Sequence, residues 1–163
     1  MSYCKNSKIK TNQYFNLGIV GNICNEAKGI YVLDYLAKEF NKENIPITII
    51  GTKKEDIEQK IKILPNELFL GTYINANLQS IIESEKISII AFTSICPETF
   101  SYVFSELTLL DIPIICFNIG AQAEKAKKYS KGIVVQNKEE MLNKLLELRN
   151  INILNSNNLE GCK

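Results

Sequence analysis

Six short runs of apolar residues recur along the chain, and polar or mixed segments separate them. Most of the runs are continuous, whereas a strand with one face in water would alternate apolar and polar residues. Continuous runs are typical of parallel strands that are covered on both faces. The predicted strands are FNLGIVG (15–21), IPITIIG (45–51), ELFLG (67–71), ISIIAF (87–92), IPIICF (112–117) and GIVVQ (132–136).

The segments between these runs show the three-to-four-residue spacing of amphipathic helices. Apolar residues recur in this way over 30–40, 100–110 and 141–148. Because each parallel crossover needs a covering helix, the alternation of strands and helices predicts a doubly wound α/β fold. The expected architecture is a single Rossmann-like domain around a mostly parallel sheet of six strands.

The two ends of the chain differ from its middle. Residues 1–14 are polar and basic, which predicts a linker or tail, and residues 149–163 are rich in Asn, which predicts a polar C-terminal tail. Such segments carry too few apolar residues to fold alone. Residues 15–148 form the one predicted domain, with no internal repeat and no second domain boundary.

The composition excludes several functional classes. Of the 163 residues, 45% are hydrophobic and 23% are charged, which is ordinary for a globular protein. The net charge of +1 comes without a basic block, so nucleic acid is not an expected partner. The chain has no histidine, the commonest general base and metal ligand. Arg149 is the only arginine, so a phosphate site would use lysine, backbone amides or a partner domain.

The cysteines and the N-terminus bear on the compartment. The five cysteines include no CxxC pair, so neither a disulfide framework nor a zinc site is supported, and reduced thiols are expected. The opening MSYCKNSKIK lacks the apolar stretch of a signal peptide. No apolar run approaches the roughly 20 residues of a membrane span. The sequence therefore predicts a cytoplasmic protein without a transmembrane segment.

Two loops of unusual sequence are expected to meet at one edge of the sheet. In an open α/β sheet, ligands bind beyond the carboxyl ends of the strands, where the strand order reverses. With the common order 3-2-1-4-5-6, the first and fourth strands flank that point. Their loops are GNICNEAKG (21–29) and TSICPETFSY (93–102).

The first loop is a candidate anion site. Gly21 lies at the strand exit, and Lys28 and Gly29 lie at the helix entry. A lysine beside the amides of a helix N-terminus suits a phosphate, because that end of the helix carries partial positive charge. The alternative is a glycine turn with an ordinary surface lysine. Gly18 and Gly21 do not form the G-x-G-x-x-G fingerprint, and no Walker lysine pattern occurs.

The second loop places two carboxylates around the start of a helix. Pro97 favours a helix that begins soon after it, with Glu98 at or before the first turn and Glu106 about two turns further in. Eight helical residues would separate the two glutamates by about 80° around the axis and roughly 12 Å along it. This separation suits the two ends of an elongated polar ligand, with free amides around Thr99 to Tyr102 between them. The alternative is a first-turn glutamate that complements the helix dipole and a solvated Glu106.

The residues around the two glutamates resemble the paired-glutamate motif of the retaining group-one glycosyltransferases, which have two Rossmann domains. The similarity covers PETFSYVFSE (97–106), continues through LLDIPIICFNIGAQAEKAKKYSKGIVV (109–135) and includes GIVGNICNEAKG (18–29). It extends over about residues 15–148. In that family these elements belong to the C-terminal half, which binds the nucleotide sugar.

The resemblance implies a role for each matching residue. Glu106 would hold the ribose hydroxyls of the donor nucleotide, Glu98 would contact the transferred sugar, and Lys28 would bind the diphosphate. The other implied donor-binding residues are Gly21, Asn22, Thr99, Phe100, Ser101 and Tyr102, with Gly71, Thr72 and Tyr73 near the base. The donor would be a UDP-, GDP- or ADP-sugar. Because lysine and helix amides would offset the charge of the leaving diphosphate, no metal and no further cofactor is needed in principle.

Three features depart from the family pattern. Asn22 stands where family members often have an arginine, so a second cation for the diphosphate is absent or comes from elsewhere. Thr99 and Ser101 replace glycines between the two glutamates, which makes the backbone approach tighter. Asp111 takes a turn where glycine is common, and aspartate tolerates that conformation better than most residues.

Enzymes of this family also need an N-terminal Rossmann domain, which binds the acceptor. The chain is therefore expected to be a fragment of a longer glycosyltransferase, or a half that works with a partner chain, with little or no transfer alone. The resemblance implies surface or cell-wall glycan synthesis. It also leaves room for a peripheral position of the full-length enzyme at the inner face of the membrane.

Two alternative functions remain at this point. Half of a sugar-nucleotide epimerase would share the architecture, although such enzymes often rely on histidines and this chain has none. A non-enzymatic flavodoxin-like or receiver-like module would share the sheet, because doubly wound folds host many functions. A receiver needs an aspartate at the end of its third strand, whereas this strand ends at Leu70 and Gly71.

Overall fold

The computed structural model describes residues 15–74, 77–97 and 102–160, and this part of the chain forms six strands and six helices in alternation. The strands are β1 (Leu17–Val20), β2 (Ile47–Ile50), β3 (Glu67–Phe69), β4 (Ile89–Ala91), β5 (Ile114–Phe117) and β6 (Gly132–Val135). The helices are α1 (Ile30–Lys42), α2 (Lys54–Ile57), α3 (Leu78–Ser84), α4 (Tyr102–Leu109), α5 (Gly120–Lys128) and α6 (Lys138–Glu160). Each strand lies inside one of the six apolar runs.

The strands form one parallel sheet with the order β3-β2-β1-β4-β5-β6. Leu17 of β1 is in register with Ile47 of β2 on one side and with Ile89 of β4 on the other. The first strand, β1, thus lies in the middle of the sheet. The strands β2 and β3 extend the sheet on one side of it, and β4, β5 and β6 extend it on the other. The predicted doubly wound α/β fold is confirmed, and β1 and β4 are neighbours as the expected crevice requires.

Successive residues of each strand pack on opposite faces of the sheet, which explains why the apolar runs are continuous. In β4, Ile89 and Ala91 belong to the core cluster that includes α1 and α6, whereas Ile90 belongs to the cluster that includes α3 and α4. In β1, Leu17 and Ile19 pack in the first of these clusters. Because helices cover both faces, nearly every strand position must be apolar.

Two features of the helix ends bear on the sequence analysis. Asp111, between α4 and β5, has a φ of 57°, so it adopts the left-handed conformation expected there. Helix α6 continues to Glu160, so the backbone of 149–160 is helical where the sequence predicts a polar tail. Apolar positions near its start, Met141, Leu142 and Leu145, are buried and fix the helix on the core, and the Asn-rich continuation extends that helix. The predicted linker 1–14 lies outside the described residues.

Among the residues described above, no helix combines the length and the apolar character that crossing a bilayer requires.

Candidate functional site

A crevice of about 300 Å³ lies at the carboxyl ends of β1 and β4, where the strand order reverses. The loop after β1, the loop after β4 and the first turn of α4 enclose it. The lining residues are Val20, Gly21, Asn22, Ile23, Lys28, Phe92, Thr93, Ser94, Tyr102 and Val103. The structure thus brings together four residues of the predicted donor site: Gly21, Asn22, Lys28 and Tyr102.

The two loops are joined through the carbonyl groups of Ala27 and Lys28. The N–H of Ile95 donates to the Ala27 carbonyl at 3.0 Å, and the Ser94 hydroxyl donates to the same oxygen at 3.2 Å. The Thr93 hydroxyl donates to the Lys28 carbonyl at 3.3 Å. The backbone that carries Lys28 is therefore anchored on the loop after β4.

Gly29 makes this close approach possible. Its φ is 94°, and a Cβ atom at this position would lie 2.1 Å from the Thr93 carbonyl oxygen. Any side chain would therefore be strained by the backbone conformation and would also collide with backbone. The Lys-Gly pair noted in the sequence thus has a steric cause, in addition to whatever the lysine binds.

The beginning of α1 provides a positive environment at the mouth of the crevice. Gly29 precedes the helix without a side-chain cap, and the first turn contains no acidic residue. The N–H of Lys28 donates to the Asn25 side chain at 2.9 Å, which fixes the turn before the helix. Among the described residues that line the crevice, Lys28 carries the only charge. A helix N-terminus and a lysine together favour a bound anion.

Glu106 lies on α4 one turn beyond Tyr102 and Val103, hence on the same side of the helix. Its Oε2 atom is buried and has no hydrogen-bond partner in the described structure. Burial raises the pKa of the Tyr73 phenol, and the nearby charge of Glu106 raises it further. Glu106, which is predicted to bind the ribose, is therefore close enough to Tyr73, which is predicted to lie near the base, to influence its pKa.

The predicted site residues do not all share one cavity. Glu106 and Tyr73 do not line the 300 Å³ crevice, although they lie beyond the carboxyl ends of the strands. Gly71 lines a separate cavity of about 650 Å³ beside β3, and Thr72 is exposed. Glu98, Thr99, Phe100 and Ser101 lie outside the described residues, so their roles remain predictions.

The sequence analysis missed two residues that shape the crevice. Thr52 is buried, donates to the Gly21 carbonyl at 2.6 Å and accepts from the N–H of Ile23 at 2.8 Å. Gln122, in the first turn of α5, donates from Nε2 to the Ser94 carbonyl at 3.4 Å. Their position could have indicated them, because Thr52 and Gln122 each lie after a buried strand at the carboxyl edge of the sheet, where α/β folds generally bind ligands.

The described residues contain no group of three or more His, Cys, Asp or Glu side chains that could hold a metal ion. Among the described residues, the cation that lines the crevice is Lys28. That the site works without a metal remains a prediction from the resemblance.

Comparison with known proteins gives the family. The model of the family described as glycosyl transferases group 1 matches residues 14–150. No curated protein matches the sequence.

Several solved structures share the fold. HepE (Alr3699) from Anabaena, solved with UDP and glucose, has a TM-score of 0.64 and 17% identity over 83% of this chain and 38% of its own. TarM from S. aureus has a TM-score of 0.66 and 19% identity over 89% of this chain and 30% of its own.

A structure of comparable extent is the C-terminal domain of a group 1 family glycosyl transferase, LpcC, from Francisella tularensis. It has a TM-score of 0.60 and 21% identity, and the match covers 91% of this chain and 85% of that domain. The chain thus spans under two fifths of HepE and TarM but most of this isolated domain. At these identities the structures establish the fold, and the family model, which matches most of the sequence, shows that the chain belongs to the group 1 glycosyltransferases.

Proposed function

We propose that the chain is the donor-binding half of a retaining glycosyltransferase. The reaction would move a sugar from its nucleoside diphosphate to an acceptor hydroxyl, in the synthesis of a surface or cell-wall glycan. The proposal rests on the position of Lys28, which lines the crevice at the start of α1, and on a buried carboxylate oxygen of Glu106 that has no partner among the described residues.

The diphosphate would lie in the crevice between the two loops. Lys28 lines this crevice, and the N-terminus of α1, which carries partial positive charge, begins two residues further along the chain. As the bond to the sugar breaks, negative charge grows on the leaving diphosphate. A lysine and a helix N-terminus held in place before the reaction stabilise that charge at little cost in reorganisation. The contacts of Ala27 and Lys28 to the loop after β4 support this placement.

The nucleoside would extend toward Glu106 and Tyr73. The buried Oε2 atom of Glu106 lacks a donor within the described structure, and a pair of ribose hydroxyls would supply one. Hydrogen bonds to an ionised carboxylate are stronger than those between neutral groups. Tyr73 offers a half-buried ring beside that carboxylate, which suits the flat face of a base.

The transferred sugar and the acceptor require groups beyond this crevice. Glu98 would contact the hydroxyls of the sugar, as the family resemblance implies. The acceptor would bind to another domain, in the same or another chain, which would close the site. The described residues alone are then expected to bind the donor and to transfer little or no sugar.

Calorimetric titration with UDP, GDP and ADP tests the proposal. We expect one nucleotide to bind selectively, and Glu106→Ala to weaken it by about ten- to a hundredfold, because a charged partner of hydroxyls is lost. Glu147→Ala is the matched control, since Glu147 is exposed on α6. Equal affinities for wild type and Glu106→Ala would remove Glu106 from the site, and no binding at millimolar nucleotide would contradict the proposed function.

A further inference from the structure

Gln122 is a fully buried amide directly behind the wall of the crevice. Its Nε2 atom makes a long hydrogen bond of 3.4 Å to the Ser94 carbonyl, and its Oε1 atom is buried without any partner in the described structure. The backbone carbonyl of Gln122 accepts a hydrogen bond from the Cys116 thiol at 3.7 Å. Burial raises the pKa of that thiol to about 11, so it remains protonated and able to donate.

The unpaired oxygen of Gln122 makes an unfavourable contribution to the stability of the fold. A buried carbonyl oxygen that has lost its water and found no donor is destabilising, and an apolar side chain of similar size would avoid this loss. Buried polar groups without partners are uncommon in proteins, and a specific function often accounts for them. The position of Gln122 at the crevice is therefore informative.

The contacts of Gln122 lead directly to the residues that carry the donor site. Gln122 holds the carbonyl of Ser94, which itself lines the crevice. The Ser94 hydroxyl donates to the Ala27 carbonyl at 3.2 Å, next to Lys28 in the chain. A short relay thus runs from α5 through the loop after β4 to the loop after β1.

We propose that Gln122 is a positioning residue that sets the loop after β4, and through Ser94 and Ala27 the Lys28 backbone, in the geometry that binds the donor diphosphate. This inference rests on the proposed function. It predicts that stability and affinity depend on Gln122 in opposite directions. Removing the amide relieves a buried unpaired oxygen, but it also releases the Ser94 carbonyl.

The test compares Gln122→Met and Gln122→Leu with the matched control Gln79→Met. Gln79 is exposed on α3, where its amide contacts Glu83 at 2.9 Å. For each protein, the dissociation constants for UDP, GDP and ADP are measured by calorimetry, and Tm is measured on the same sample. We expect both apolar variants to keep or raise Tm and to bind the preferred nucleotide about tenfold more weakly. The control should change neither quantity.

Other outcomes would overturn the inference. A lower Tm with an unchanged dissociation constant, or loss of the fold in both variants, would make Gln122 a structural residue. Unchanged values of both quantities would leave it without a role at the site. If wild type binds none of the three nucleotides, the proposed function fails together with the inference. Binding by wild type with unaltered affinity in the variants refutes the inference alone.

Discussion

Two buried carboxamides, one at each end of the parallel strands, are satisfied to very different degrees. Asn16 lies just before β1 at the amino end, and its Nδ2 atom donates to the Thr48 hydroxyl at 2.9 Å and to the Glu85 carbonyl at 2.8 Å. The Thr48 hydroxyl in turn donates to Asn16 Oδ1 at 3.2 Å. Gln122, at the carboxyl end, has one long bond and an oxygen without a partner in the part of the chain that the structure describes.

Under the proposed function, the difference separates polar groups that serve the fold from those that serve the donor site. The Asn16 group ties β1, β2 and the turn after α3 together, and its atoms are paired within the protein. At the carboxyl end, Gln122 and Glu106 each keep a buried oxygen that has no donor among the described residues. Parallel α/β sheets bind ligands at the carboxyl end, so the proposed function gives unpaired acceptors there a role that the same atoms would lack at the other end.

Unpaired oxygens also occur beside β3, where Asn66 Oδ1 and Glu67 Oε1 lack partners in the described structure. Both residues are partly exposed, unlike Gln122, and Glu67 lines the open cavity of about 650 Å³. Water at this margin can satisfy such groups after small movements. Glu106 is partly exposed as well, so the comparison depends on position at the carboxyl end and, for Gln122 alone, on full burial.

The most damaging single change at the carboxyl end is expected to be Gly29→Ala. The new Cβ would lie 2.1 Å from the Thr93 carbonyl oxygen at a φ of 94°. Backbone strain and overpacking together should cost roughly 3 kcal/mol or more of unfolding free energy. The loops should separate and nucleotide binding should disappear. Urea unfolding and calorimetry measure the two effects.

Gly21→Ala is the matched control for that change. Gly21 has a φ of 133°, but no described atom lies within 4 Å of the position that its new methyl group would occupy. Conformational strain alone should cost about 1–2 kcal/mol. Equal losses of unfolding free energy in the two variants would show that the close contact between Gly29 and Thr93 does not contribute to the effect.

A smaller effect is expected at the amino end from Asn16→Ala. The substitution leaves the Glu85 carbonyl and the Thr48 hydroxyl without their partner, which should cost about 2 kcal/mol of stability. Nucleotide affinity should remain within about twofold of wild type, because the site lies at the opposite end of the strands. Asn77→Ala, at an exposed position, is the control for stability. A large loss of affinity in Asn16→Ala would abolish the distinction between the two ends.

The smallest effect is expected from Glu67→Gln beside β3. Burial, the largest cause, raises the pKa of Glu67 above its usual 4.5; the N–H of Leu64 opposes this shift and the charge of Asp34 adds to it. Glu67 therefore loses its proton at a lower pH in the unfolded chain than in the folded protein. As a result, the free energy of unfolding falls as the pH rises from 4.5 through the folded-state pKa. The variant should lack that decline and should be slightly more stable than wild type at neutral pH. Tm measured from acidic to neutral pH tests this, and identical profiles for both proteins would refute it.

Much of the fold follows from local sequence, because the four inner strands, β1, β2, β4 and β5, are buried throughout and must be almost entirely apolar. The runs at 87–92 and 112–117 contain β4 and β5 for this reason. The crevice was predictable once strand order was assumed, since that order alone makes β1 and β4 neighbours. The secondary structure of the polar C-terminal segment was harder to predict. Helix α6 continues through Asn-rich sequence to Glu160, which periodicity did not indicate.

The supporting contacts of the site were not predictable from the sequence. Gln122 reaches Ser94 across 28 positions, and Thr52 reaches Gly21 across 31. Neither distance in the chain implies a contact, because both depend on how α5 and the end of β2 pack in the finished domain. The proximity of Tyr73 to Glu106 likewise arises only when the sheet is assembled.

The central claim is that the carboxyl end of β1 and β4 binds a nucleoside diphosphate. The most direct measurement is a titration of ¹⁵N-labelled protein with UDP, GDP and ADP, followed through assigned backbone amide shifts. The account predicts the largest shifts for one nucleotide in loops 21–29 and 93–97, with smaller ones at Tyr73 and Glu106 and none around Asn16. Shifts concentrated at 53–55 and 63–67, beside β3, would place the ligand in the other cavity and contradict the account.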